Sequence, residues 1–349
     1  DDFNASHETL KKGLALMPVK FGISFNTPKL NQAGALVHVY ADGSVHLNHG
    51  GTEMGQGLFT KVAQVVASVF QIDLDNIKIS ATRTDKVPNT SATAASSGSD
   101  LNGMAAFNAA NTIKDRMTGV AAEIFDTDAD QVEFRQNRVY AGNESLSFSE
   151  LAEQTYNRRV QLSAAGFYST PGLHWDAKSL IGNPFYYFTY GAAIAEVVID
   201  TLTGESRVLR ADMLQDCGNS LNPAIDIGQI EGAFVQGQGW LTSEELVWND
   251  RGQLLTHGPS TYKIPGSRDV PPVFNVHILE DAPNRFPTVF RSKAVGEPPL
   301  MLAISVWLAI RDAVSRTADH RHFVKLDAPA TPEVILNAIE DVSRRDSVQ

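Results

Sequence analysis

Apolar and polar residues alternate from Ala33 to His49 on both sides of Ala41-Asp42-Gly43-Ser44, which predicts two strands joined by a tight turn. The glycine-rich stretch Gly50 to Gly57 follows, and then Leu58, Val62, Val65, Val66 and Val69 recur at helical spacing. Ile77 to Ala81 reads as a further strand. The same order returns later. Tyr190 to Ile199 and Ser206 to Met213 predict a hairpin around Asp200-Thr201-Leu202-Thr203-Gly204, and an apolar helix runs from about Ile225 to Trp240. The repetition predicts an α+β fold of two similar α/β subdomains with mixed sheets and packed helices, over residues 1–155 and 156–349. Tyr168-Ser169-Thr170-Pro171-Gly172 falls in the connecting stretch. Leu300 to Val314 carries another helical pattern, and Val334, Ile335, Ala338, Ile339 and Val342 share one face of a short C-terminal helix.

A chain of 349 residues that is 43% hydrophobic can bury a large core. Its net charge of -11 and the absence of clustered Lys and Arg argue against a nucleic-acid partner. Cys217 is the only cysteine, so the chain has no internal disulfide, thiolate zinc site or cysteine-ligated iron–sulfur cluster of its own. Redox chemistry here needs a bound cofactor. No uninterrupted apolar run approaches the roughly 18 residues of a membrane span, and Asp1 to Leu16 lacks the basic and apolar regions of a signal peptide. A cytoplasmic, non-membrane location is the default expectation. Because the chain opens on Asp1 and a polar helix that leads straight into a strand, it is expected to be cut from a longer polypeptide.

The densest chemical signal is Lys293-Ala294-Val295-Gly296-Glu297-Pro298-Pro299-Leu300. Gly296 permits close backbone approach, and two prolines fix the chain where a helical pattern begins. Glu297 is thus a lone carboxylate held at a rigid, apolar loop-to-helix junction, a better setting for a base than for a surface charge. Gly50-Gly51-Thr52-Glu53-Met54-Gly55-Gln56-Gly57 suits close approach by a polar ligand, although a tight strand-to-helix connection explains it equally well. It is neither a dinucleotide fingerprint nor a phosphate loop. Thr93-Ala94-Ala95-Ser96-Ser97-Gly98-Ser99-Asp100 offers N–H groups and hydroxyls to a ligand, with Asp100 as the expected N-cap of a helix over Leu101 to Met117. A linker has the same composition, but linkers are uncommon between a strand and a helix. Gln229, near the start of the second long helix, is either a structural cap or a ligand-binding amide. His49, His174 and His277 lack metal-ligand spacing and read as ordinary surface or core residues.

Gly50 to Gly57, Pro88-Asn89 with Thr93 to Ser96, Gly166-Phe167-Tyr168, Leu221 to Gln229, Gly258 to Pro265 and Ala294 to Pro299 occur in that order. With them the chain, from Phe21 to about Val314, resembles the C-terminal part of the molybdenum-binding portion of xanthine dehydrogenases and related aldehyde oxidases. The resemblance implies a mononuclear molybdenum held by the dithiolene of a pterin cofactor, with no protein side chain ligating the metal. It implies that Met54, Gly55, Gln56, Ser96, Ser97, Gly98, Ser99, Gln229 and Gly296 form the cofactor cradle, with Ala95 beside the metal. Glu297 corresponds to the base, which takes the proton of the metal's hydroxyl ligand as oxygen passes to an electrophilic ring carbon. Phe25, Asn26 and Ala94 correspond to the substrate side, Phe25 packing edge-on against a purine. Asn26 departs from the threonine usual at that place.

The implied activity is hydroxylation of hypoxanthine and xanthine to urate with oxygen from water. The alternatives are an aldehyde or N-heterocycle oxidase on the same scaffold, or a non-catalytic cofactor-binding or assembly module. The retained Glu297 speaks against the last of these. The resemblance further implies that the chain supplies about half of an active site. The other half would come from an N-terminal part of the molybdenum subunit, with 2Fe-2S, FAD and NAD on partner chains and a dimer of the full assembly.

Overall fold

A computed structural model describes residues 2–87 and 90–347, so the Pro88-Asn89 part of one motif lies outside the described residues. The chain opens with α1 (Asp2–Ser6) and the long β1 (Leu10–Ile23). The hairpin β2 (Gln32–Val39) and β3 (Val45–His49) leads through the glycine-rich loop into α2 (Leu58–Phe70), β4 (Ile77–Ile79) and the 28-residue α3 (Gly98–Phe125). A meander of β5 (Val132–Arg135), β6 (Arg138–Ala141) and β7 (Glu144–Ser147), then α4 (Phe148–Asn157), precedes β8 (Ser163–Ser169). The small pair β9 (His174–Asp176) and β10 (Ile181–Asn183) is followed by the second hairpin, β11 (Tyr187–Asp200) and β12 (Ser206–Gln215). The chain ends with α5 (Pro223–Thr242), β13 (Val273–Ile278), α6 (Ile304–Ser315) and α7 (Pro332–Asp346).

The two hairpins seed two sheets of one topology, β4-β3-β2-β8 and β13-β12-β11-β1. In each, the hairpin is antiparallel, a helix crosses over, and a third strand adds parallel to the hairpin's second strand. A fourth strand then adds antiparallel to the hairpin's first strand: β8 beside β2, and β1 beside β11. This corrects the expected division at residue 155. The edge strand β1, from the start of the chain, completes the second sheet, while β8, beyond residue 155, completes the first. Local periodicity marks β1 as a strand, but its partner Ala195 lies opposite Ala15, far along the chain, and no local signal carries that pairing.

Each sheet is covered by a helix laid directly on a glycine. A Cβ at Gly166 of β8 would stand 2.0 Å from the Ala105 carbonyl oxygen and 2.6 Å from the Ala109 nitrogen of α3. At Gly13 of β1 it would stand 2.0 Å from the Ala309 oxygen and 2.5 Å from the Ala313 nitrogen of α6. One core collects Val37, Leu47, Val62, Val66, Ile113 and Met117, and a second collects Ile199, Met213, Ile230, Phe234, Leu302 and Val306. Ile23, Tyr186, Tyr187 and Ala294 form a small third cluster.

The expected helix from Leu300 is split. Pro298 and Pro299 open a 3-10 turn, Pro298–Ala303, that passes into α6. By length and composition alone, Pro298–Ala318 is the one stretch among the described residues that could cross a membrane; it is 56% buried and serves as a core element of the second unit. The C-terminal amphipathic pattern forms α7 as expected, with Ile335, Ala338 and Val342 buried and the Thr331 hydroxyl accepting the Val334 N–H at 3.4 Å.

Candidate active site

A cavity of about 220 Å³ lies where the two units meet. The first unit contributes the Met54 and Gln56 loop, the first turn of α2, and residues 93–99 at the head of α3. The second contributes the first turns of α5 and the segment 292–297.

The glycine-rich loop is organised by a carboxylate of its own. Glu53 accepts the N–H groups of Gly55, Gly57 and Phe59 at 2.9, 3.0 and 2.9 Å, so its carboxylate caps α2 in place of the N-cap residue, Gly57, which has no side chain. Burial pushes the Glu53 carboxyl up, but these backbone donors outweigh it and leave the pKa lowered. No capping rule looks for a carboxylate so far upstream of a helix. Gln56 accepts the Met54 N–H at 2.5 Å and donates to the Thr52 carbonyl at 2.8 Å, closing the loop while still facing the cavity. Gly55, at φ +99°, has open space where a Cβ would be, and Met54 is 68% exposed.

Ala95 and Ser96 both adopt left-handed backbone, φ 54° and 55°, which is costly away from glycine and gathers at ligand sites. Ala94, Ser96, Gly98 and Ser99 line the cavity, whereas Ala95 and Ser97 stand outside its wall. Ser97 is buried and donates its hydroxyl to the Ala94 carbonyl at 3.2 Å. The expected cap does not form. α3 begins at Gly98 with Ser97 as N-cap and no side-chain cap bond, which leaves first-turn N–H groups without a helical acceptor. Asp100 is instead buried inside that turn and accepts the Tyr187 hydroxyl at 2.6 Å. Burial pushes its carboxyl up to about 7, against the opposing pull of the Tyr187 hydroxyl and of the Lys61 charge.

On the opposite wall Asn222 caps α5 by accepting the Ile225 N–H at 3.1 Å, so Gln229 is not the cap. Gln229 lines the cavity and has no hydrogen-bond partner among the described residues, which fits an amide kept for a ligand. Asp226, buried, is paired with the Lys61 ammonium and accepts the Ser220 hydroxyl at 2.5 Å. Nothing in the sequence names Asp226 as the partner of Lys61, but the need for a partner is legible. Lys61 falls on the apolar face of α2 with Leu58 and Val65, where an unpaired lysine is not found.

Segment 292–297 is tied at Lys293, Ala294 and Glu297. The Lys293 N–H donates to the Cys217 carbonyl at 2.8 Å, and the Lys293 ammonium meets Asp216 at 2.5 Å. The Ala294 N–H donates to the Tyr187 hydroxyl oxygen, and the Glu297 N–H to Ser96 Oγ, both at 2.8 Å. Ala294, Val295, Pro298 and Pro299 are buried, so the rigid, apolar junction is present. The carboxylate itself is not enclosed by it: Glu297 is exposed on the cavity wall and accepts no hydrogen bond from the described residues. Gly296 lies beside Ser96, with a Cβ position 3.1 Å from Ser96 Oγ.

Phe25 and Asn26 are not brought to the cavity wall. Asn31 holds the Phe25 N–H and carbonyl at 2.8 and 2.9 Å, and Asn26 is exposed. His49 is a core residue that accepts the Gly51 N–H at 3.1 Å through Nδ1, and burial lowers its pKa to about 4. His174 and His277 are exposed.

The cradle is strongly hydrogen-bonding, and the charged groups on its wall other than Glu297 are held in the Lys61–Asp226 and Lys293–Asp216 pairs. Gly55 leaves space, Gln229 offers an unpaired amide, and the head of α3 offers N–H groups. These features fit an organic group with polar edges and an anionic substituent. Among the described residues no group of three or more His, Cys, Asp or Glu side chains is arranged to hold a metal ion.

Residues 1–271 match the family model described as molybdopterin cofactor-binding domain. The xanthine dehydrogenase/oxidase of Felis catus is 48% identical over 347 residues, 98% of this chain and 25% of that protein. The xanthine dehydrogenase of Oryza sativa subsp. japonica is 51% identical over 350 residues, 97% of this chain and 24% of that protein. The chain thus spans about a quarter of the length of the curated relatives it matches. Among solved structures, the CO dehydrogenase of Oligotropha carboxidovorans superposes with TM-score 0.84 at 21% identity, over 98% of this chain and 42% of that one. Quinoline 2-oxidoreductase from Pseudomonas putida 86 superposes with TM-score 0.82 at 24% identity, over 95% of this chain and 42% of that one. These two likenesses establish the fold. The family match takes in the loop at 54–56, the head of α3 and the start of α5, the elements that build the cradle, and on it the chain belongs to the molybdopterin cofactor-binding domain family.

Proposed function

We propose that this chain is the C-terminal portion of the molybdenum-bearing part of a xanthine dehydrogenase, acting on hypoxanthine and xanthine. Supporting the purine reading are identities of 48% and 51% to xanthine dehydrogenases over nearly the whole chain. The one observation that carries a catalytic reading is Glu297, an exposed carboxylate fixed through its backbone beside an open cradle. When bound, the molybdenum–pterin cofactor supplies two-electron oxidation and the oxygen derived from water. The Met54 to Gln56 loop, Ser96, Gly98, Ser99 and Gln229 hold the cofactor, with Ala95 behind that wall and Gly296 allowing close approach. Glu297 would serve as the proton acceptor at its carboxylate. Its carboxylate has no competing hydrogen bond from the described residues and meets the ligand side of the cavity.

Phe25 and Asn26 belong to the substrate side and act together with residues outside this chain, as does Ala94 on the cavity wall. A cavity of about 220 Å³ is smaller than sites that enclose organic ligands, which start near ~300 Å³. That size supports a site completed by an N-terminal part of the same subunit. Iron–sulfur and flavin centres on partner domains would serve as the electron acceptors. The test is turnover by the full-length enzyme, with xanthine and an aromatic aldehyde as competing substrates. Faster oxidation of xanthine is expected. Faster oxidation of the aldehyde moves the assignment to an aldehyde oxidase on the same scaffold, and purified enzyme without molybdenum and pterin overturns both.

A further inference from the structure

Glu297 owes its position to its backbone, so what holds segment 292–297 decides where the carboxylate stands. One of the holding groups is unusual. Tyr187, 2% exposed, reaches from the first residue of β11 into the interface between the units. Its hydroxyl donates to Asp100 Oδ2 at 2.6 Å and accepts the Ala294 N–H at 2.8 Å. Asp100 and Ala294 are 8% and 5% exposed, so water does not take over these contacts. A single phenol therefore joins the head of α3, the second sheet and the segment that carries Glu297.

Stability alone gives little reason for this arrangement. A buried carboxylate and phenol both carry desolvation costs, and apolar replacements of similar volume are often neutral or stabilising. Apolar packing is available on one side, where Ile23 and Tyr186 cluster with Tyr187 and Ala294, while the Lys61 charge acts on Asp100. What the polar pair adds is direction. With its proton committed to Asp100, the phenolic oxygen turns its lone pairs to the Ala294 N–H. The stretch from Ala294 to Glu297 is then pinned at one end by Tyr187 and at the other by Ser96.

We propose that Tyr187 and Asp100 are positioning residues for Glu297, acting through the Ala294 N–H to fix the segment that presents the carboxylate. The proposal rests on the reading of Glu297 as proton acceptor. The test uses the full-length enzyme with Tyr187→Phe, Asp100→Ser, whose side chain is too short to reach the hydroxyl, and Asp100→Asn, which keeps an oxygen in place. Tyr187→Phe and Asp100→Ser are expected to lower kcat for xanthine by about 10- to 100-fold, the cost of a misplacement near 1 Å, with KM little changed and molybdenum and pterin content retained. Backbone hydrogen exchange over residues 294–297 rises in both variants, and Asp100→Asn recovers much of the kcat and of the protection.

An unchanged kcat, a fall no larger than the loss of cofactor content, or Asp100→Asn as damaging as Asp100→Ser overturns the proposal. If Tyr187→Phe does not fold, Asp100→Ser alone decides: native exchange at 294–297 overturns the proposal. If the unmodified enzyme shows no xanthine turnover, the functional reading fails, and exchange at Ala294 still reports whether the pair fixes the segment.

Discussion

The two units of this molecule share strand order, strand direction and the helix laid on a strand glycine, yet they bring different chemistry to one cavity. Equivalent parts meet each other across the interface. Gly57 at the head of α2 faces Ile225 at the head of α5, and Lys61 and Asp226, each the fourth residue of its helix, form the buried ion pair. The segments before α3 and α6 also meet, through Ser96 and the Glu297 N–H. Matching contacts of this kind describe an approximate two-fold relation centred on the site. The first unit fills its half with strained backbone, glycine and small hydroxyls, which suit holding a ligand. The second fills the equivalent position with a carboxylate set ahead of two prolines, which suits chemistry. A repeated fold has thus diverged where its two copies touch, while the strand and helix frame has stayed the same.

The largest effect should come from the residue that separates the two halves most. Glu297→Gln keeps the side-chain volume and leaves the Ser96 and Tyr187 contacts to the backbone untouched, but removes a proton acceptor. Turnover by the full-length enzyme is expected to fall by at least about 10² to 10⁴, with molybdenum and pterin content unchanged. A fall of less than tenfold would mean that the second unit holds the cofactor as the first does, and the division of labour would be lost.

The Lys61 and Asp226 pair tests whether the interface depends on opposite charges at equivalent positions. Their side chains are 9% and 2% exposed, so removing one partner strands a charge away from water. Lys61→Met or Asp226→Asn is expected to cost about 3 to 5 kcal/mol, read as a shift in the urea midpoint at unchanged slope. Lys61→Met combined with Asp226→Leu should recover most of that loss. If the double variant is as unstable as the singles, the pair matters for something other than charge compensation, such as the Ser220 contact to Asp226.

Much of this architecture could be read from the chain, because hairpins, crossovers and amphipathic helices are local patterns. The duplicated order of hairpin, glycine-rich element and helix was visible, as were the loops that form the cradle. The exchange of β1 and β8 was not, since each is an ordinary strand until its partner is known. The site residues that were missed share one property: their meaning comes from the other unit. Lys61 looks misplaced on an apolar helix face until Asp226 is opposite it, and Asp100 looks like a helix cap until Tyr187 reaches it. Glu53 is a different case, a cap that acts from within a loop.

The smallest effects test the shared frame itself. Gly166→Ala and Gly13→Ala each place a methyl group 2.0 Å from a helix carbonyl oxygen, Ala105 in one unit and Ala309 in the other. Backbone cannot step aside as a flexible side chain can, so strand and helix must separate. Each substitution is expected to cost about 1 to 3 kcal/mol by overpacking. Gly119, in α3 with open space at its Cβ position, provides the control: Gly119→Ala should gain up to about 1 kcal/mol from helix propensity. Equal losses at Gly13 and Gly166 would show that helix–strand contact bears the same strain in both units. A much smaller loss at one would show that its helix is free to move, and that the frame, not only the site, has diverged.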